Sequence, residues 1–458
     1  MSARLARVIR RILRGGDNAG LARVAAITRP GEVELGGRSE RVLVAGNHTP
    51  VVGELTPWVR VDQGTLVTCK HVRSLYPALF APAVGKQWEQ VMVAADVPST
   101  KLGVAHRDSS GRYWVKVGVQ YYSQESDDFL TPDWTYRGQG MHADVQCGAT
   151  MADGDSIIEL GREPFGIYAR RVIINPDTGG LTFGSLEGPL PASFMGQPLD
   201  ASMCRDGDGH FHIASWSSYP YITDPPKWQE HMWRSDAPDD LSTWTETFYA
   251  LHDNPPENWR RPWLCVVNGA PVLFRMSSLQ VDDVMYDDVM YRAWSGGAWG
   301  SAADPGFDAH GYQFAVMGLP DGRLHIAYQD QARGLVWKQG RLNGGAIAWE
   351  AESVLLDFWY GATAAFHRNF EDGSAPEVAW ATSRYSDMSA GRLFRYGLPP
   401  GNEDEDIEDA ENPILPIADT TRGIVAGGGR DDGDDPLDGF CAFRQGDDIY
   451  AARIVEES

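Results

Sequence analysis

One pattern recurs along most of this chain: a glycine turn, usually opened by an aspartate, followed at once by an apolar strand. It reads SSGRYWVKVGV around Gly111, ADGDSIIEL around Gly154, RDGDGHFHIASW around Gly209 and VNGAPVLFRM around Gly269. It returns as PDGRLHIAYQD around Gly322, EDGSAPEVAWA around Gly373 and LDGFCAFRQGDDIYAARI around Gly439. These glycines stand 43 to 66 residues apart. Self-similarity at such a period marks a repeat fold, in which each unit buries its apolar face against the next. Four short strands with their turns fill the period, whereas a parallel solenoid repeats at about half of it. The expectation is an all-β chain, with a β-propeller of six or seven four-stranded blades over residues 64–458 and seven favoured by the seven turns. A closed ring leaves few free sheet edges. The C-terminal DDIYAARIVEE is expected to close it by pairing beside TLVTCKHV (65–72).

The strongest internal match lies between residues 206–216 and 321–330. Each places Asp and Gly in a turn and then His-Ile-Ala in a strand. His212 and His325 therefore occupy equivalent places in two repeats. A catalytic residue is needed once, so these histidines are expected to be structural. RGLVWKQGR (333–341) and GRLFRYGL (391–398) read as third strands, and YQFAVMGL (312–319) as a first strand.

This repeat resembles the sialidase-like and BNR-type propellers, a group of carbohydrate-handling proteins. Their Asp-box runs Ser-x-Asp-x-Gly-x-x-Trp, of which SSGRYW (109–114) retains the Gly and Trp. WRRP (259–262) echoes the aromatic-Arg-x-Pro motif that supplies a carboxylate-binding arginine in sialidases, and bidentate Arg suits a carboxylate. A glycosidase of that kind also needs a tyrosine activated by a glutamate and an acid/base aspartate. No single motif assembles those, and no catalytic residue is assigned.

Two rings-and-turns segments suit sugar stacking instead. SWSSYPYITDPPKWQEHMW (215–233) carries Trp216, Tyr219, Tyr221 and Trp228, and LDFWYG (356–361) adds Trp359 and Tyr360. Aromatic faces pack on C–H-rich sugar faces while neighbouring polar groups meet the hydroxyls. These six are the candidate carbohydrate-binding residues, with the hydrophobic core as the alternative use of the same rings.

Charge and cysteine narrow the partners. A net charge of −23 excludes nucleic acid as the main ligand, since phosphate binding needs a basic face. The five cysteines, Cys69, Cys147, Cys204, Cys265 and Cys441, are scattered without CxxC or Cys/His spacing. Neither a zinc site nor a disulfide framework is implied. The acidic runs at 281–291, 402–412 and 429–439 lack EF-hand spacing. No cofactor and no metal are expected. No apolar run reaches transmembrane length and the first residues lack a signal-peptide apolar core. A protein of this kind is expected to stay in the cell that makes it or to leave by lysis.

The first 63 residues differ in character. Residues 3–14 (ARLARVIRRILR) place Leu5, Val8, Ile9, Ile12 and Leu13 on one helical face, with Arg4, Arg7, Arg10, Arg11 and Arg14 around it. So short a helix needs a surface to lie on, and 1–16 is expected to be an anchor onto a protein partner. Residues 17–63 alternate apolar residues between Gly-rich turns, as a small SH3- or OB-like barrel does. Their segment VLVAGNHTPVVGELTPWVRVDQGTLV resembles short barrels of tailed-phage proteins. Together these features lead to one expectation: a non-enzymatic bacteriophage virion component, in the tail or tail tip, assembled in the host cytoplasm. Several copies per particle would bind other virion proteins through the helix and barrel, and a host-surface polysaccharide through the propeller. The competing expectations are a polysaccharide lyase or glycoside hydrolase acting as a phage depolymerase, and an intracellular scaffolding propeller.

Overall fold

The computed structural model describes residues 32–35, 38–41 and, with internal gaps, 86–456. The expected helix (Arg4, Leu5, Arg7, Val8, Ile9, Arg11, Ile12) lies outside the described residues, as does most of the expected barrel. Within that barrel only β1 (Glu32–Leu35) and β2 (Arg38–Arg41) are described, and they pair antiparallel.

From Trp88 to Ile454 the chain forms one compact unit, and every described element in it is a strand. β3 (Lys86–Ala94) comes first, followed by β4 (Leu102–Arg107), β5 (Tyr113–Val117), β6 (Gln120–Gln124) and β7 (Thr135–Gln139). Sheet I contains β8 (Thr150–Asp153), β9 (Ser156–Glu163), β10 (Gly166–Asn175) and β11 (Gly180–Phe183). Sheet II contains β12 (Gln197–Arg205), β13 (Phe211–Tyr219), β14 (Lys227–Ser235) and β15 (Trp244–His252). Sheet III contains β16 (Arg260–Val267), β17 (Ala270–Val281), β18 (Val284–Ser295) and β19 (Ala298–Trp299). Sheet IV contains β20 (Phe314–Gly318), β21 (Arg323–Asp330), β22 (Gly334–Asn343) and β23 (Ala346–Leu356). Sheet V contains β24 (Tyr360–Arg368), β25 (Glu377–Arg384), β26 (Gly391–Leu398) and β27 (Ile407–Glu408). The last strands are β28 (Ile424–Gly428), β29 (Phe440–Gln445) and β30 (Asp448–Glu456).

Each of sheets I to V is a four-stranded antiparallel meander in chain order. The remaining strands form one eight-stranded sheet in the order β3-β30-β29-β28-β4-β5-β6-β7. Its two halves meet where β28 runs parallel to β4, at Gly427–Ala105 and Gly428–His106. The first strands touch in sequence, β4 to β8, β12, β16, β20, β24, β28 and back to β4. Sheets ordered around a closed ring of first strands make a β-propeller of about six blades, the number turning on how the eight-stranded sheet is divided.

Apolar clusters fill the spaces between successive sheets. Ile158, Leu160 and Ile167 of sheet I meet Phe211, Ile213 and Trp233 of sheet II. Val272, Phe274 and Tyr291 of sheet III meet Leu324, Ile326 and Tyr328 of sheet IV. Tyr113, Val115 and Phe129 meet Phe440, Ala442 and Ile449 across the join of the eight-stranded sheet. Because each sheet is covered on both faces, β5 is buried at all five positions. Each fully buried large side chain contributes about 1.5–3 kcal/mol, and Trp114, Trp216, Trp233 and Trp337 are the largest of them.

Ring closure differs from the expectation in its partner. A strand has two edges, and those of β30 are taken by β29 and β3. Arg453 reaches across to Glu89 (Nε–Oε2 2.8 Å), and the Asp96 N–H donates to Asp448 Oδ1 (3.1 Å). The C-terminal strand therefore closes against residues 86–94, and the segment 65–72 lies outside the described residues.

Candidate functional site

The two ends of the ring are built differently. Each meander begins on its inner strand, so the turns joining first and second strands gather at one end, here called the floor. Three of those turns share one construction. Asp108, Asp206 and Leu319 open them, and Gly111, Gly209 and Gly322 follow three residues later with φ of 87°, 88° and 90°, a conformation that favours glycine. In each, the opening N–H donates to the carbonyl four residues on, and the glycine N–H returns to the opening carbonyl. Asp108 Oδ1 accepts from the N–H groups of Ser110 and Arg112 (both 3.0 Å), and Oδ2 from Trp114 Nε1 (2.8 Å). Asp206 does the same with the N–H groups of Asp208 (3.0 Å) and His210 (2.8 Å), while His212 Nε2 stands 2.9 Å from Oδ2.

The Asp-box likeness is thus closer than SSGRYW alone implies. The acid is Asp108, one residue further from the glycine than the motif's spacing allows. His212 and His325 sit at the sixth position after Asp206 and Leu319, both buried, as repeat equivalence requires. His325 Nδ1 accepts from Trp337 Nε1 at 3.2 Å. Burial pulls the His212 imidazole below its usual pKa against the attraction of Asp206.

Neighbouring floor turns then bond to one another. Ser109 N–H and Oγ donate to Asp155 (2.8 and 2.7 Å), and His106 Nε2 is 2.7 Å from the Gly154 carbonyl. Gly207 N–H donates to the Gly269 carbonyl, and Asn268 N–H to that of Leu319, both at 2.8 Å. The floor spends its polar groups on joining sheets.

The opposite end, the rim, carries a repeated irregularity. In four places the inner strand holds one extra residue near its start, between Leu102 and Val104, Pro198 and Asp200, Arg260 and Trp263, and Tyr360 and Thr363. Bulges of this kind re-aim side chains and concentrate at rims and binding sites. Arg260 and Arg261 of the WRRP stretch begin the inner strand of sheet III, and Tyr360 begins that of sheet V. Tyr219 ends β13 and Trp228 stands second in β14, so both flank the rim of sheet II. Tyr221 and Trp359 lie outside the described residues. Trp216 corrects the sequence reading: it is 2% exposed, and Arg275 of sheet III lies over its ring at 5.8 Å. Alternation along β13 turns it inward with Ala214, so it serves the core.

Between the sheets lie two buried charge clusters that no local motif announces. Between β5 and sheet I, Glu159 accepts from Lys116 Nζ (2.7 Å), Arg170 Nη2 (2.7 Å) and Tyr121 OH (2.7 Å). Burial would raise the Glu159 carboxyl, but Lys116, Tyr121 and Arg170 hold it below its usual range. This is a tyrosine–glutamate pair of the type a sialidase needs. Tyr121 is nevertheless fully buried, and burial together with the Glu159 charge pushes its phenol well above the ordinary value. Such a phenol keeps its proton and meets no substrate. Between sheets II and III, Glu230 is flanked by Arg275 (Nη1–Oε2 2.9 Å) and Arg292 (Nε–Oε1 3.6 Å).

His231 on β14 pairs with Glu246 (Nδ1–Oε1 2.6 Å) and stacks on Trp233. Ser215 is its cross-strand partner, which gives a Ser-His-Glu array. The serine and histidine are sealed from solvent, so the array braces sheet II and reaches no substrate. Among the described residues no group of three or more His, Cys, Asp or Glu is placed to hold a metal ion. No helix among them is long and apolar enough to cross a membrane.

No family model matches the sequence, and no curated protein matches it. Similar solved structures include the α-L-arabinofuranosidase of Fusarium graminearum with arabinobiose, at 11% identity and TM-score 0.43, over 80% of this chain and 97% of that one. AofleA from Arthrobotrys oligospora is similar at 10% identity and TM-score 0.41, over 73% and 94%. The α-L-arabinanase of Penicillium chrysogenum with arabinobiose stands at 12% and 0.40, over 80% and 97%. The propeller assignment rests on strand order and the ring of first strands, and these distant likenesses add nothing to it.

Proposed function

We propose that this chain is a non-enzymatic glycan-recognition propeller of a bacteriophage particle, held in the tail or tail tip by its first 63 residues. The observation that carries the binding half is the bulged rim. It brings Arg260, Arg261 and Tyr360 to the starts of inner strands and sets Tyr219 and Trp228 beside them at the same end. Aromatic faces stack on sugar rings and guanidinium forks bind their hydroxyl and acid groups. The virion half is supported by the basic amphipathic stretch 3–14 and the barrel pattern of 17–63. Weak sites repeated on one particle would combine into avidity.

The test is retention of the purified chain on host capsular and wall polysaccharides, with Arg260→Ala and Tyr360→Ala expected to weaken it. Release of reducing ends or unsaturated uronates would replace this reading with the depolymerase one. Absence of the chain from purified particles, by mass spectrometry and immunogold microscopy, would overturn the virion half.

Two finer points of architecture belong to the same proposal. The eight-stranded sheet reads as two blades, β4-β5-β6-β7 and β28-β29-β30-β3, giving seven in all. Support comes from the two-residue parallel join and from the seven first strands touching in turn. End-on cryo-EM class averages with six spokes would refute it. The Asp108 turn likewise supports kinship of the repeats with the sialidase-like propellers.

A further inference from the structure

The strand that ends each sheet on its outer side offers a row of backbone groups on which a foreign strand can pair. Most of these edges are blunted. β19 and β27 have two residues each, β11 has four, and β7 has five with Arg137 at its centre. β3 carries Lys86 and Glu89. β23 is long, but its pairing with β22 shifts register twice, and its Glu350 and Glu352 are bound by Arg341 and Lys338 (3.1 Å each).

β15 lacks such a device over its second half. It has nine residues, and its one charged residue, Glu246, is bound to His231 within the sheet (2.6 Å). Past a single bulge, residues 248–252 pair regularly with residues 232–228 of β14 and include no Asp, Glu, Lys or Arg. β15 ends sheet II, with no described strand on its other side. Among the described residues, 248–251 make no backbone hydrogen bond outside the sheet. Tyr249 and Leu251 stand two apart, hence on one face, and are 41% and 42% exposed. The Tyr249 ring lies against His231 (centroids 5.1 Å) and its hydroxyl accepts from Gln229 Nε2 (3.3 Å). A ring already held in place loses little freedom on contact. Phe248, on the opposite face, packs into the cluster between sheets II and III.

We infer that β15 is a self-association edge, at which two copies of this chain pair antiparallel through residues 248–252 about a two-fold axis at Ala250. In that register Tyr249 of each copy stands opposite Leu251 of the other, and the four exposed apolar side chains cover one another on one face. Ala250, the smallest of the five, meets itself at the axis. The register is self-complementary, as a two-fold contact requires. A charged partner strand would set its charge against Tyr249 or Leu251, whereas a second copy brings none. Five paired residues span about 17 Å, too little for the roughly 800 Å² per partner of a stable complex. The dimer is therefore a weak one, in the micromolar range. Two chains of net charge −23 repel, and salt screens that repulsion, so the dimer strengthens as ionic strength rises. The contact is independent of whether the chain binds glycans.

Sedimentation equilibrium of the full chain, from about 1 to about 200 µM at low and high salt, reads the association directly. The wild type is expected to show a monomer–dimer equilibrium that salt favours. Leu251→Lys sets a cation against each Tyr249 and should weaken the dimer at least tenfold. Ala250→Cys brings two thiols together at the axis, with Cα atoms about 4.5–5.5 Å apart, and should yield a disulfide-linked dimer under mild oxidation. Thr245→Cys, exposed on the same strand but away from the axis, should not, and the wild type controls for the native thiols. Melting curves establish that each variant is folded. A wild type that stays monomeric, a dimer that Leu251→Lys leaves intact or that salt weakens, or no crosslinking of Ala250→Cys overturns the inference.

Discussion

Replacing Asp108 with alanine tests the repeated floor turn most directly. The carboxylate accepts two backbone N–H groups at 3.0 Å and the buried Trp114 indole N–H at 2.8 Å. Hydrogen bonds to a charged acceptor contribute about 1.5 kcal/mol or more each, and Trp114 has no route to water. The loss is about 4 kcal/mol. At about 2 cal/mol/K per residue over the Trp88–Ile454 unit, that lowers the melting temperature by about 5 °C. The third turn supplies an internal control, because it closes with Leu319 at the same position. There Asp321 Oδ1 takes over the Arg323 N–H at 3.0 Å. Transplanting that solution as Asp108→Leu with Ser110→Asp should therefore recover part of what Asp108→Leu alone loses. The assay is thermal unfolding followed by tryptophan fluorescence and by calorimetry. An Asp108→Ala variant melting within 1 °C of wild type, or a double variant no better than the single, would refute the hydrogen-bond account.

Four further outcomes are expected. His212 and His231 are both held below the usual imidazole value, first by burial, so the folded state resists protons that the unfolded state takes up below about pH 6.5. Stability should thus fall from pH 7 towards 5, and a pH-independent melting temperature over that range would contradict the assignment. Lys116→Met leaves the buried Glu159 carboxylate to Arg170 and Tyr121 and should cost about 1.5–3 kcal/mol, the worth of one charge-assisted hydrogen bond; a Lys116→Met/Glu159→Gln cycle showing simple additivity would argue against coupling. Deleting the last ten residues removes nearly all of β30 and parts β3 from β29, so a sharp drop in melting temperature is expected and an unchanged melt excludes this closure. Burial pushes the thiols of Cys204 and Cys441 well up and that of Cys265 to about 12, so these three should react with a disulfide reagent only after denaturation. Rapid labelling of any of them in the native protein would be inconsistent with that burial.

Much of the fold was legible because its punctuation is local. Gly111, Gly154, Gly209, Gly269 and Gly322 all fall in turns between first and second strands, and β22, β26 and β20 occupy the strand positions read from 333–341, 391–398 and 312–319. Gly373 and Gly439 lie outside the described residues. Asp108 was missed because a motif of fixed spacing looks one residue too near the glycine. Trp216 was misread because Ser-, Tyr- and Pro-rich surroundings suggest a surface, while strand alternation turned it inward. Glu230, Arg275 and Arg292 carry no local signal at all, since the ring alone brings them together. β3 escaped notice for a related reason: KQWEQVMVA lacks the Asp-opened glycine turn of the repeats, and its partner β30 lies far along the chain.

That partnership also dictates an order of assembly. β3 precedes every other propeller strand in the chain, yet it belongs beside β30, which follows all the others. Sheets I to V can each complete their hydrogen bonds while synthesis proceeds, but the edge of β3 waits until β30 has been made. Throughout that interval the nascent chain carries an unpaired nine-residue strand, the kind of edge that recruits neighbouring chains when many copies are translated together. Synthesis of β30 is therefore the event that lets the ring shut, and a chain broken off anywhere before it is left as a sticky open arc.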